Sequence, residues 1–159
     1  MTSFELLDTV ADAYTPVLGM AWLALVSRSA ISGRWRQALW RLAIGLCGLI
    51  VAYSLMWADS AFGLWASVKL DYSTHAAVAF VLAVAIGASS HKLRLVVAAT
   101  LLAYLFLMLY QKYHTVADIA STLAVVAGLL AMLAYLLRSR AVRSKNAYQT
   151  KSSGTSNCA

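Results

Sequence analysis

The stretch that decides the fold runs from 95 to 137: LVVAATLLAYLFLMLY (95–110), QKYHTVAD (111–118) and IASTLAVVAGLLAMLAYLL (119–137). Two runs of nearly pure hydrocarbon enclose a short polar turn that holds Lys112, His114 and Asp118. A membrane-spanning helix needs about 20 apolar residues, with a range of roughly 17–25. Neither run alternates in and out, which favours helices over the strands of a barrel. The pattern therefore predicts two membrane helices joined by a turn that carries the charge both helices lack.

The rest of the chain agrees. Of its 159 residues 62% are hydrophobic and 12% charged, half of the roughly 25% charge typical of soluble domains. The predicted fold is an all-α integral membrane protein, a bundle of about five transmembrane helices at 4–26, 42–58, 72–90, 95–110 and 116–137. One transmembrane domain covers 1–140, and the polar, Ser/Thr-rich segment 141–159 reads as a disordered tail. Thr15 and Pro16 fit a helix start, so residues 1–14 either span or lie along the membrane surface. Glu5, Asp8 and Asp12 stand where a cleavable signal would be basic. The alanine-rich third span has the small side chains of a bundle centre. Cys47 lies mid-span and Cys158 in the tail, which predicts no disulfide between them.

Five spans divide the charges unevenly. Arg28, Arg34, Arg36, Arg41, Lys92, Arg94, Arg138, Arg140, Arg143, Lys145 and Lys151 fall on one side, and Lys69 and Lys112 on the other. The positive-inside rule places the first side in the cytoplasm. The N-terminus is then outside and the C-terminus inside, as in a multi-pass protein of the plasma (inner) membrane. The formal net charge of +7 reads as this topology rather than as affinity for nucleic acid.

Topology also brings two motifs to one membrane face. The third span opens at YSTHA (72–76) and the fourth ends at YQKYH (110–114), so Ser73, His75, Lys112, His114 and Asp118 share a depth. Positions four apart lie on one helix face, so Asp118 can accept a hydrogen bond from His114. A carboxylate behind an imidazole fixes its tautomer and leaves the other nitrogen free to attack. The same spacing also suits a plain hydrogen bond at a helix end. An ionisable group inside a span is costly and commonly marks function.

At these residues the chain resembles the type-2 phosphatidic acid phosphatase superfamily, which includes lipid phosphatases, haloperoxidases and sphingolipid head-group transferases. That family carries P-S-G-H at the start of one core helix and S-R-x5-H-x3-D leading into a later one. YSTHA matches the first at Ser73 and His75, and LMLYQKYHTVAD (107–118) matches the second at His114 and Asp118. The resemblance covers about residues 69–137. It implies a metal-independent phosphoric ester hydrolase without cofactor, acting on a membrane lipid phosphate. His114 would form a phosphohistidine, Asp118 would orient it, His75 would protonate the leaving lipid oxygen, and Ser73 would bind a phosphate oxygen. The family's Ser-Arg pair falls on Leu107 and Met108, and its K-x6-R-P motif is absent. Phosphate binding then rests on Lys69 and on Lys112, which a continued helix would place one turn beyond 108. Lysine lacks the bidentate fork of arginine. Transfer of the head group to a lipid alcohol, a zinc site of His75, His114, Asp118 and Asp71, and a catalytically degenerate membrane module stand as alternatives.

Overall fold

The computed structural model describes residues 3–154. They form α1 (Ser3–Ile31), α2 (Trp35–Phe62), a 3-10 turn at Ala66–Val68, α3 (Thr74–Gly87), α4 (His91–Tyr110) and α5 (Val116–Gly154), with no strand among the described residues. Four helices are long and apolar enough to cross a membrane: Glu5–Ile31, Trp35–Phe62, His91–Tyr110 and Val116–Leu136. The fold is therefore all-α and of membrane type.

The third predicted span is shorter than expected. Residues 72–90 yield α3 of only 14 residues, about 21 Å at 1.5 Å per residue against a hydrocarbon core of about 30 Å. Serines trim both ends. Ser73 accepts a bond from the Ala76 amide and starts α3 late, and Ser90 accepts from the Leu93 amide and starts α4 early. At the other extreme, α1 begins at Ser3 and passes through Pro16, so Thr15 and Pro16 do not open the helix. Proline removes one intrahelical donor, and in membrane helices neighbouring groups absorb that loss.

The chain divides into two compact units, 1–126 and 127–159. The described part of the second unit is the remainder of α5, which runs to Gly154. Residues 155–159, including Cys158, lie outside the described residues. Cys47 is a free, exposed thiol.

Within the first unit α3 is central, packing against α1, α2 and α4, while α1 also packs against α2 and α4. Its alanines allow this: Ala76, Ala77 and Ala79 are completely buried. Small residues on α2 complete the contact. Gly45 lies under the indole of Trp22, and Gly48 lies under Val81, where an added Cβ would stand 2.3 Å from Cγ1. Trp22 donates from Nε1 to the Arg41 carbonyl at 3.1 Å, and Arg41 Nη1 reaches back to the Leu25 carbonyl at 3.2 Å and to Ser29 Oγ. These bonds tie α1 to α2 beside the glycine contact.

Gly48→Ala is expected to lower stability by about 1–3 kcal/mol, the usual cost of overpacking a tight core. Gly19→Ala, with nothing within 4 Å of the added carbon, should be neutral or gain up to about 1 kcal/mol. Thermal unfolding of the detergent-solubilised variants measures both.

Candidate functional site

The site grows from the connection between α2 and α3. Gly63 takes the left-handed conformation (φ 61°) and ends α2, its amide bonding the Asp59 carbonyl at 2.7 Å. The Asp59 carboxylate then accepts the Trp65 amide at 2.7 Å. From there to Ser73 the backbone is largely non-helical, and α5 receives its donors. Trp65 Nε1 donates to Ser121 Oγ at 3.0 Å, the Asp71 amide to Asp118 Oδ1 at 2.8 Å, and the Ser73 amide to Thr122 Oγ1 at 3.1 Å. Positions 118, 121 and 122 follow the i, i+3, i+4 pattern of one helix face. Tyr72 closes the connection from its other side, donating to the Ala52 carbonyl at 2.8 Å and meeting the Trp65 ring edge-on at 4.9 Å.

Asp118 therefore makes no hydrogen bond to His114. Its Oδ2 accepts the Thr115 amide at 2.8 Å and the Thr115 hydroxyl at 2.7 Å, and its own amide donates to Thr115 Oγ1. This is a capping box, with Asp118 in the role of the third helical residue. The expected i, i+4 pairing fails because α5 starts at Val116. His114 precedes the cap, outside the helix, so helical spacing does not apply to it. The Thr115-x-x-Asp118 pattern was the signal in the sequence for this capping role.

The carboxylate beside His114 is Asp71, with Oδ2 3.3 Å from Nδ1. The contact has ion-pair distance but lies outside hydrogen-bond geometry. The imidazole side chain is 13% exposed and the Asp71 side chain 72% exposed, so the pair sits at a rim with the carboxylate outermost. Nε2 of His114 has no partner among the described residues. Nothing in the spacing of 71 and 114 marks them as neighbours; the tie between Asp71 and Asp118 brings them together.

The other expected site residues are placed as follows. Ser73 is completely buried and its hydroxyl caps α3, so it presents no oxygen to a ligand. His75 is exposed on the first turn of α3 and borders a cleft of about 430 Å³ that also takes in Asp12, Thr15, Tyr53 and Thr74. Neither His114 nor Asp118 borders that cleft. Lys69 and Lys112 are exposed, and both take φ 59°. Because α4 ends at Tyr110, Lys112 belongs to a turn rather than to the helix face one turn beyond Met108. Met108 itself is 3% exposed and turned into the core.

The turn is held from α1. Asp8 accepts from Gln111 Nε2 at 3.1 Å and from the Tyr113 hydroxyl. The bond to Asp8 is the chief cause that pushes the Tyr113 hydroxyl up to about 12, so the phenol remains a donor at neutral pH. Two turns inward, Tyr14 stacks on Tyr104 with centroids 4.3 Å apart and donates to Thr100 Oγ1. Among the described residues no group of three or more His, Cys, Asp or Glu side chains is arranged to hold a metal ion. Comparison with family models, curated proteins and solved structures finds no match for the chain.

Asp118→Ala leaves the Asp71 and Thr115 amides without an acceptor, each costing about 1–3 kcal/mol if it remains buried. The expected result is a lower unfolding temperature together with faster hydrogen exchange at the Asp71 amide. Asp118→Asn, which keeps one acceptor oxygen, should lose less on both readouts.

Proposed function

We propose that the protein is a membrane lipid-phosphate phosphatase that works through a phosphohistidine on His114, with Asp71 rather than Asp118 as the carboxylate behind it. The observation that carries this reading is the 3.3 Å approach of Asp71 Oδ2 to His114 Nδ1. A carboxylate there favours the tautomer with its proton on Nδ1 and leaves the Nε2 lone pair for attack.

The reaction needs two displacements. Nε2 attacks phosphorus, the bond from phosphorus to the lipid oxygen breaks, and the departing oxygen takes a proton from His75. Water then attacks the phosphohistidine and gives a proton to the deprotonated His75, the bond from phosphorus to Nε2 breaks, and inorganic phosphate leaves with both imidazoles restored. Catalysis of phosphoryl transfer rests mainly on positioning and on neutralising charge. Lys69 and Lys112 supply that charge in this reading. Each stands two residues before a member of the pair, in the segments Lys69-Leu70-Asp71 and Lys112-Tyr113-His114, and each turns the chain at φ 59°. The cation distribution supports an exoplasmic site with the N-terminus outside, in the plasma (inner) membrane. A lipid monoester or diphosphate head group reaches such a rim without leaving the bilayer.

A second reading, a non-catalytic membrane module, draws on two observations: Met108 lies buried at the position of the family's arginine, and the Ser73 hydroxyl is spent on capping. One experiment separates the two. Phosphate release from a panel of lipid phosphates in detergent is expected for the wild type and absent in His114→Ala. Asp71→Asn should lower the rate by about 10²–10⁴, the range of a misdirected acid–base group. Equal release from wild type and His114→Ala would return the chain to the module reading. A new phosphorylated lipid in place of free phosphate would identify a transferase.

A further inference from the structure

A groove lies toward the other end of the first unit, and about 24 Å of α4 separates its Arg94 edge from the His114 turn. Phe80, Ala83 and Val84 of α3 and Val97, Ala98 and Leu101 of α4 form its apolar walls around a volume of about 350 Å³. Arg94 stands at its edge. Gly87 lets α4 start this close to α3, since an added Cβ would lie 3.3 Å from the Arg94 Cα and 3.4 Å from its Cγ. The stem of Arg94 therefore rises directly beside the α3 backbone.

The charge of Arg94 has no acidic counterpart nearby. Six acidic residues occur in the chain, at 5, 8, 12, 59, 71 and 118. They lie on the first turns of α1 and α5, the last turn of α2 and the connection before α3, all at the opposite ends of these helices. Among the described residues Arg94 makes no ion pair. Beside it α4 exposes Leu95 and Val96 at 59% and 58%, on a helix long and apolar enough to cross a membrane. An exposed, unpaired guanidinium over an apolar groove complements an anion attached to a hydrocarbon chain. Lys92 on the same helix turn adds to the local cationic character, and the start of α4 favours negative charge.

We propose that this groove is a binding site for one anionic phospholipid, with Arg94 on the phosphate and an acyl chain along the apolar walls. A zwitterionic lipid brings its own cation to the same point and binds less well. The site is independent of the chemistry at His114.

The test uses the full chain in neutral detergent micelles, offered equal amounts of phosphatidylglycerol and phosphatidylcholine and read by native mass spectrometry. Wild type is expected to retain phosphatidylglycerol preferentially. Arg94→Gln should reduce the ratio of the two bound lipids about fivefold, the factor that one basic residue contributes near an anionic membrane surface. Arg94→Lys should keep most of the preference, and Arg34→Gln, at an exposed basic residue of another turn, should leave it unchanged. Ala98→Phe, a filling substitution from the exposed side of the groove, should reduce binding of both lipids. The unfolding temperature and monodispersity of each variant confirm that it is folded. An unchanged ratio in Arg94→Gln overturns the proposal. So does a fall in that variant with full binding in Ala98→Phe, which would make Arg94 a surface charge without a groove. Retention of neither lipid by the wild type overturns it as well.

Discussion

Non-helical backbone at the end of a membrane bundle must find partners for its amides, because hydrocarbon offers none and each unpaired group costs several kcal/mol. In this protein the demand comes from the connection between α2 and α3, and the polar face of α5 meets it. Asp118, Ser121 and Thr122 accept the Asp71 amide, the Trp65 indole and the Ser73 amide in turn. The carboxylate of Asp118 also closes the start of α5 on Thr115. One side chain thus holds a helix start and a loop together, and the neighbours of His114 follow from it.

That constraint explains why α3 is short. With Ser73 anchored to Thr122, its hydroxyl remains as the cap of α3, and the helix begins there whatever the hydrophobicity of its flanks. A short central helix packed against α1, α2 and α4 buries most of its length, which is why alanine suffices along most of it, and the side toward Val84 stays open. The same anchoring leaves Asp71 free on its outer side, where it meets His114. The chemistry at the rim is then carried by turns, Lys69 to Asp71 and Lys112 to His114, rather than by faces of regular helix. Asp8 braces the second of these turns from α1.

The two ends of the first unit differ in kind. The end with His114 holds aspartates, histidines and two lysines, and its hydrogen bonds are accepted by Asp8, Asp59 and Asp118. The other holds cations and, among the described residues, no acidic side chain, and the groove there is apolar apart from Arg94. Segregation of this sort follows from the alternation of helix directions, which sends every acidic residue of the chain to one end.

Helical class, membrane character and the meeting of the connection before α3 with the turn into α5 were legible from hydrocarbon runs and chain direction, since each run must be a closed hydrogen-bonded helix and consecutive helices reverse. The start of α1 falls one residue before the span drawn at 4–26, and of the two readings left open for residues 1–14 the helix follows the continuous one, through Thr15 and Pro16. The pairing of His114 was not legible. Spacing of four implies a shared face only inside a helix, and whether residue 114 lies inside or outside α5 depends on the capping by Thr115 and Asp118. Asp71 is 43 residues away along the chain, and only the bond between its amide and Asp118 puts its carboxylate beside the imidazole. Local pattern selects elements; hydrogen bonds between distant segments select which side chains meet.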